Sequence, residues 1–337
     1  MGPAKQLEGM ADVMHVIHAR NVNDAYVQGR THLQEHGVVV SRRLGTTPVL
    51  CKEVSYPVTT CYEQPTERVL YCPSRDANPF FHLMEAIWMF AGRSDVRWLT
   101  EYNKRMTEYS DDGYSFYGAY GNRWRNSGYG DQILTVIKKL KDDPTTRQAT
   151  IMIGHPRDTF AQTVDMPCNL VCAFNKVSTG KLNMTVFARS NDAIWGAYGA
   201  NAVHFSMLHE LVCIGADLPQ GSMIQISNNF HEYVTVADKH LIVENSDYYE
   251  RKKIKTHKLS VISVEQFLQD CEFFCIEVPS MIKEPFLNHI AMPMKTAWRL
   301  RAHNKTTAID HLDSMPSGND WQFAAQAWLR RRLKGWT

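Results

Sequence analysis

Two neighbouring segments of alternating apolar and polar residues constrain the fold of this chain more than any other feature. Residues 168–175 and 182–189 alternate with a period of two, and a short turn that contains Gly180 joins them. This pattern predicts two antiparallel strands paired in a hairpin, each with one buried face. A mostly apolar stretch at 201–214 stops before Gly215 and predicts a helix.

The other predicted elements place the chain in the α+β class. Sequence patterns predict further strands at 48–54, 149–153 and 223–227, and further helices at 132–140, 264–275 and 320–333. Asn78 before Pro79 predicts another helix start, because both residues favour the first turn of a helix. Residues 1–35 are expected to form an amphipathic helical entry. No regular alternation of strands and helices and no GxGxxG motif occurs, so a doubly wound fold is not expected.

Composition narrows the functional class. The 337 residues are 44% hydrophobic, enough for a substantial core, and 37 basic against 35 acidic residues give a formal charge of +2. Such a balance excludes a surface-wide electrostatic grip on nucleic acid, so any anion is bound locally. No apolar run long enough for a membrane span and no secretory signal is seen, so we expect a cytoplasmic protein without membrane contact. Eight cysteines without zinc-type pairs predict reduced thiols and no metal site.

Two local features have both a structural and a functional interpretation. Residues 41–47 place Arg42 and Arg43 beside a glycine and hydroxyl groups, which is typical of a phosphate-binding loop and also of a solvated turn. Glu85 lies within the apolar stripe of the helix that follows Asn78. A carboxylate there is costly unless it is paired, for example with a buried arginine, or functional.

One constellation of residues points to chemistry. Pro167-Cys168-Asn169 opens a predicted strand, where a cysteine taken alone is more typical of packing than of catalysis. The later residues change this interpretation: Arg189, Ser190, Asp192, Asn201, His231 and Tyr233. Together they supply a nucleophile, an anion clamp and hydrogen-bonding edges for a flat heterocycle with its sugar.

These motifs, in this order over residues 20–240, resemble the thymidylate synthase family, including its pyrimidine nucleotide hydroxymethylase branch. The resemblance implies an α+β fold with a large mixed sheet flanked by helices, one sheet face forming a homodimer interface. It implies a pyrimidine nucleoside monophosphate and methylenetetrahydrofolate bound in each cleft. It covers a catalytic core at 1–245 and leaves 246–337 as a divergent C-terminal part of the same domain, with a terminal helix near 320–333.

The resemblance also assigns roles. Cys168 is expected to add to C6 of the pyrimidine, because C5 becomes nucleophilic only after a thiolate has added. The other expected catalytic residues are Glu85, Tyr120 and Asn201. The expected substrate-binding residues are Arg43, Arg147 from the other subunit, Arg189, Ser190, Asn169, His231 and Tyr233. Asp192 is expected to bind the pterin, and the arginines are expected to lower the pKa of the thiol.

Departures from the synthase pattern favour hydroxymethyl transfer. Thr107 and Ser110 stand where synthases carry a pair of tryptophans, and Asn169 and Gln148 replace a histidine and an arginine. An indole over the exocyclic methylene at C5 excludes water, whereas small hydroxyls admit it and could orient it. The expected reaction therefore adds water and yields the 5-hydroxymethyl nucleotide with tetrahydrofolate as the by-product.

Several alternatives stay open from sequence alone. Asn201 favours dUMP, because an amide can donate to O4 and accept from N3–H, but dCMP and CMP remain possible. A true thymidylate synthase would make dTMP with folate oxidation and shield its intermediate with aromatics from residues 113–130. A non-catalytic relative would use the basic run Arg330 to Arg332 on nucleic acid, although the retained Cys168 argues against it. Hydroxymethylases of this branch typically serve phage DNA modification or nucleoside antibiotic pathways, which for a phage protein implies the host cytoplasm.

Overall fold

The computed structural model describes residues 13–44, 47–240, 242 and 248–335. The strands in this part of the chain are β1 (His15–Ala19), β2 (Val38–Leu44), β3 (Thr47–Glu53), β4 (Val58–Tyr62), β5 (Thr150–Met152), β6 (Asn169–Lys176), β7 (Leu182–Ala188), β8 (Asn191–Asp192), β9 (Gln220–Ser227) and β10 (Phe230–Tyr233). The helices are α1 (Val22–His36), α2 (Pro79–Phe90), α3 (Val96–Tyr102), α4 (Tyr120–Arg125), α5 (Gln132–Asp142), α6 (Asn201–Ala216), α7 (Val234–Ala237), α8 (Tyr248–Arg251), α9 (Val264–Cys275), α10 (Met292–Leu300), α11 (Lys305–His311) and α12 (Asp320–Leu333).

A six-stranded mixed sheet in the order β1-β4-β9-β7-β6-β5 organises the fold. The β1–β4 and β7–β9 pairs are parallel and the others antiparallel. Alternation along β7 and β9 buries one face against the helices, because successive side chains of a strand point to opposite sides. The register places half-buried residues together on the other face, among them Cys61, Val171, Phe187, Ile224 and Ile226. The expected large mixed sheet flanked by helices is therefore confirmed.

A second, four-stranded sheet in the order β2-β3-β10-β8 adjoins the first. Its register aligns Glu53, His231 and Asp192 in one row across three strands. Because β8 follows β7 after two residues, the two sheets meet beside the end of the predicted hairpin. Two residues expected to bind substrate or cofactor are thereby made neighbours across strands.

Helices from the C-terminal third of the chain pack on α2. Phe80 contacts the rings of Trp298 and Trp328, and Phe90 contacts Phe267. One buried apolar cluster extends from Ile17 to Leu329. Residues beyond 245 therefore share the hydrophobic core of the preceding part, and α12 lies where the sequence places a terminal helix.

The expected helical entry over residues 1–35 is wrong for residues 15–19 and confirmed from Val22, where α1 begins. His15–Ala19 form a strand parallel to β4, and the helix begins only after Asn21. The Asn21 side chain accepts hydrogen bonds from the backbone N–H groups of Asn23 and Asp24, which fixes that start. Residues 1–12 lie outside the described residues, as do Gly45 and Thr46 of the candidate phosphate loop.

The basic residues at the end of α12 form ion pairs within the protein. Arg331 and Arg332 both form ion pairs with Asp76, and the Arg332 guanidinium lies 3.3 Å from the centroid of the Trp328 ring. These contacts hold α12 against the segment that leads into α2. Two of the three arginines that the nucleic-acid-binding alternative would use are therefore engaged within the fold.

Three observations concern disulfides, metal sites and membrane spans. All eight cysteines are free thiols. Across the described part of the chain, no group of three or more His, Cys, Asp or Glu residues is arranged to hold a metal ion. None of the helices in that part combines the length and the apolar character needed to cross a bilayer.

Asp320, the first residue of α12, is fully buried and generates a prediction about stability. Its carboxylate accepts hydrogen bonds from the backbone of His257 and Trp321 and from the Tyr249 hydroxyl. Burial nevertheless raises the pKa of Asp320 to about 7. Since the pKa in the unfolded chain is near its ordinary value, this carboxyl stabilises the fold at low pH and loses that contribution as pH rises through 7.

We expect the Asp320→Asn variant to gain stability relative to the wild type as pH rises from about 5 to about 8, by up to about 2–4 kcal/mol. The amide stays neutral, so its contribution does not change with pH. Urea unfolding followed by tryptophan fluorescence at both pH values measures the difference. Parallel pH profiles of the two proteins would contradict the prediction.

Candidate active site

Cys168 and Arg189 lie side by side where β6 begins and β7 ends. The Arg189 backbone N–H donates to the Cys168 carbonyl at 2.9 Å. Its guanidinium donates to the carbonyls of Pro167 at 3.0 Å and Met166 at 2.9 Å, and Nη2 lies 3.7 Å from Cys168 Sγ. The hairpin pairing thus places a cation directly against a half-buried thiol.

Contrary to expectation, the pKa of the Cys168 thiol is raised. Burial is the main cause, and Asp165 and Asp192 add to it, while Arg189 lowers the pKa and offsets only part of the increase. One guanidinium does not outweigh the loss of hydration that a thiolate suffers in this position. The expectation of a lowered thiol pKa is therefore corrected: the thiol is held neutral.

Tyr120 and Asn169 form a contact next to the thiol. The Tyr120 hydroxyl accepts from Asn169 Nδ2 at 3.1 Å and from the Asn169 backbone N–H at 3.4 Å. Burial and the neighbouring Cys168 raise the pKa of Tyr120, so the phenol keeps its proton. With both acceptor positions used, this proton is available to donate to a ligand or water. Asn169 itself is fully buried, so in this structure it positions Tyr120.

Glu85 faces a histidine rather than the arginine that sequence analysis considered. Its Oε2 lies 3.3 Å from His204 Nε2 on α6. Neither atom has a hydrogen-bond partner among the described residues, although the Glu85 side chain is only 11% exposed. Two unsatisfied polar atoms at this distance are typical of a site that a water molecule completes.

Asn201 begins α6 and is oriented by a chain of amides. Its Nδ2 donates to Asn191 Oδ1 at 3.1 Å, and Asn191 Nδ2 donates to Ser227 Oγ at 3.0 Å. Gly196 passes so close that an added Cβ would lie 2.9 Å from Asn191 Oδ1. The direction of the Asn201 amide is therefore set by buried neighbours and not by the ligand alone.

The second sheet contains Asp192 in β8 and both His231 and Tyr233 in β10. Asp192 Oδ1 accepts from the backbone N–H groups of Ile194 and Trp195, whereas its buried Oδ2 has no hydrogen-bond partner among the described residues. Burial raises the pKa of Asp192, and the adjacent His231 opposes this rise. His231 packs edge-on against the Tyr233 ring, with 5.4 Å between centroids.

The remaining phosphate-binding candidates are not all brought together. Ser190 follows Arg189, and its Oγ lies 3.4 Å from Asn229 Oδ1. Arg43 is exposed near the β2–β3 turn and pairs with Pro48 of β3. Pro48 is five residues along β3 from Glu53, which lies in the same row as Asp192, so Arg43 is about 17 Å from that row. Arg42 forms an ion pair with Glu53.

Arg147 lies at the far end of the large sheet from Cys168. Arg147 is exposed in the loop before β5, and Thr150 of β5 pairs with Ala173 of β6. Arg147 therefore lies near the C-terminal end of β6, whereas Cys168 precedes the N-terminal end of that strand. At about 3.4 Å per residue this separation is about 25 Å. Arg147 cannot join the cleft of its own chain.

The residues expected to control water access are engaged locally. Thr107 Oγ1 donates to the Lys104 carbonyl, and Ser110 Oγ donates to the Ser115 carbonyl and accepts from the Gly113 N–H. Tyr114 and Tyr129 are 82% and 94% exposed, so neither shields a buried intermediate.

Two residues at the site escaped the sequence analysis. His204 lies three residues after Asn201 on one face of α6, a spacing that could have signalled it. Asp165 lies three residues before Cys168 and is half-buried beside it.

The chain is similar to known proteins over most of its length. The sequence model of the family described as thymidylate synthase matches residues 57–285, about two thirds of the chain. A deoxyuridylate hydroxymethyltransferase of Pseudomonas phage M6 is 39% identical over 95% of both chains, and one of Bacillus phage SP01 is 40% identical over 53% of this chain and 49% of its own. A putative thymidylate synthase of Methanosarcina mazei is 28% identical over 67% of this chain and 93% of its own. The chain therefore belongs to the thymidylate synthase family, in its hydroxymethylase branch.

Proposed function

We propose that this protein transfers a one-carbon unit from methylenetetrahydrofolate to C5 of dUMP and adds water, giving 5-hydroxymethyl-dUMP. The observation that carries the proposal is the contact of Cys168 with Arg189 beside Tyr120, in a chain 39% identical to a deoxyuridylate hydroxymethyltransferase over nearly its full length. A nucleophile, a cation and a proton donor are the groups this chemistry needs at one place.

Cys168 adds to C6 of the pyrimidine and makes C5 nucleophilic. Because its thiol is neutral in the free chain, its proton must leave when the nucleotide binds, and Arg189 stabilises the thiolate. Tyr120 offers its hydroxyl proton, and Glu85 with His204 holds water for proton transfers to and from the base.

The folate fits the chain at Asp192. Pterins present N–H donors on one edge, and the buried Asp192 Oδ2 is an acceptor without a partner among the described residues. Bound there, methylenetetrahydrofolate supplies the one-carbon unit. Asp192 orients it, and the same carboxylate fixes the start of the Ala193–Ala200 segment that leads into α6.

The nucleotide is bound through its phosphate, sugar and base. Arg189 and Ser190 bind the phosphate through charge-assisted and neutral hydrogen bonds. His231 and Tyr233 bind the sugar. Asn201 binds the uracil edge, since its amide nitrogen is turned towards Asn191 and retains a second hydrogen for O4.

A second copy of the chain completes the site. The half-buried apolar face of the large sheet, with Phe187 and Ile226 in one row, suits a back-to-back homodimer. Arg147, which cannot reach its own Cys168, then contributes to the phosphate site of the partner copy. In this arrangement the dimer is the catalytic unit.

Product analysis tests the proposed reaction. Purified protein is incubated with methylenetetrahydrofolate and, separately, dUMP, dCMP, UMP and CMP, and the products are identified by mass spectrometry. We expect a 5-hydroxymethyl product from dUMP and no dihydrofolate absorbance. The Cys168→Ala variant is expected to lose both this product and tritium release from C5-labelled dUMP by at least about 1,000-fold. Thymidylate with dihydrofolate would favour the synthase instead.

The uracil assignment gives a second prediction. In the Asn201→Asp variant we expect the preference to turn from dUMP towards dCMP by about 10–100-fold in kcat/KM. A carboxylate accepts from the cytosine amino group but cannot donate to O4 of uracil. Competition between the two nucleotides, followed by mass spectrometry, measures the ratio. An unchanged preference for dUMP would show that Asn201 does not read the base.

Subunit complementation tests the role of Arg147. We expect Arg147→Ala and Cys168→Ala each to be nearly inactive at low dUMP concentration. After denaturation and refolding together, they should recover about one quarter of the wild-type activity, because half the dimers are mixed and each mixed dimer holds one intact site. Arg157→Ala, an exposed arginine outside the cleft, serves as the control. Absence of recovery would contradict a shared site.

A further inference from the structure

Asp165 is a half-buried carboxylate three residues before Cys168 and interacts electrostatically with its thiol. It lies in the segment that leads into β6, and Asp165 Oδ2 accepts from the Gly118 N–H at 2.7 Å. Gly118 belongs to the segment that leads into Tyr120. A Cβ on Gly118 would lie 2.4 Å from the Asp165 carbonyl oxygen, so the two segments are in direct backbone contact. One carboxylate therefore joins the segment of the nucleophile to the segment of the proton donor.

The charged groups around Asp165 define its electrostatic state. The pKa of Asp165 is raised to about 6, chiefly by burial. The Gly118 N–H and Arg123 oppose the rise, and Asp111 and Glu85 add to it. In turn, Asp165 raises the pKa values of Cys168 and Tyr120. Asp165 is thus close to the three groups that act on the base, and it is largely ionised at neutral pH.

The other candidates for handling the attacking water are committed elsewhere. Thr107 and Ser110 use their hydroxyls in local turns. Glu85, opposite His204, is already proposed to hold water for a different step, the proton transfers to and from the base. The Gly118 N–H is the hydrogen-bond donor that the structure places on the Asp165 carboxylate within the described residues. Asp165 Oδ1 remains available to a water molecule.

We propose that Asp165 is the general base that deprotonates the water adding to the exocyclic carbon at C5, an inference that rests on the proposed function. The water oxygen forms a bond to that carbon, its proton passes to the Asp165 carboxylate, and the electron pair of the exocyclic double bond moves onto the C4 carbonyl. The resulting enolate expels the Cys168 thiolate from C6 and restores the ring double bond. No electrons are lost or gained overall, so no oxidant or reductant is needed.

The test separates the addition of water from the earlier steps. In a single turnover with the Asp165→Asn variant in excess over C5-labelled dUMP, a variant that keeps an acceptor for Gly118, we expect the rate of tritium release to stay within about threefold of wild type. Formation of 5-hydroxymethyl-dUMP in the same turnover should be at least about 100-fold slower. An added thiol that is already ionised can attack the exocyclic carbon without a general base. Added 2-mercaptoethanol should therefore divert the variant to the corresponding thioether of dUMP.

A matched control examines the same segment. Asp111 accepts from Thr163 Oγ1 and from the Val164 N–H, two residues next to Asp165, but its side chain is exposed. At about pH 8, where Asp165 is already ionised, Asp111→Asn should leave the ratio of the rates of hydroxymethyl product formation and tritium release unchanged. In the wild type that ratio should fall below about pH 6, as Asp165 takes up its proton, and in Asp165→Asn this dependence should disappear.

The contrary outcomes are distinct. Equal loss of tritium release and product in Asp165→Asn would assign Asp165 a structural or earlier role, and full retention of product would show that water needs no base; either result overturns the inference while the proposed function stands. A wild-type protein that releases tritium but yields thymidylate overturns both.

Discussion

Loss of hydration at a few titratable groups is the physical constraint on which the site depends. The Cys168 thiol, the Asp192 carboxylate and the Tyr120 hydroxyl all have pKa values raised chiefly by burial. The counter-charge in contact with the thiol is the Arg189 guanidinium. Burial thus opposes ionisation of this thiol, and Arg189 offsets only part of that effect.

Strand register decides which charged groups lie next to each other at the site. The β6–β7 pairing sets Arg189 against Cys168, and the β8–β10 pairing sets Asp192 beside His231. The same register carries Arg147 to the far end of β6, out of reach of its own cleft. A single sheet therefore brings Arg189 to the candidate site and keeps Arg147 away from it.

Burial also distinguishes structural from functional charge. The arginines of the terminal helix look from sequence like a surface for a partner, but Arg331 and Arg332 are ion-paired with Asp76. Glu85 was recognised as anomalous because a carboxylate in an apolar stripe needs a reason, yet its neighbour His204 comes from a helix over a hundred residues later in the chain. Asp165 carried no such signal, since an acidic residue in a loop is ordinary until its environment is known.

The amino-acid sequence by itself determined the hairpin, the helices that begin at Pro79 and Asn201, and the set of motifs that identifies the family, because periodicity, caps and local motifs are properties of short segments. The tertiary structure alone decided which charges meet. It showed that residues 15–19 pair as a strand, that the thiol is neutral, and that Arg43 and Arg147 lie apart from Arg189. These outcomes depend on strand register and on desolvation, which arise only when distant segments pack and remove water from each other.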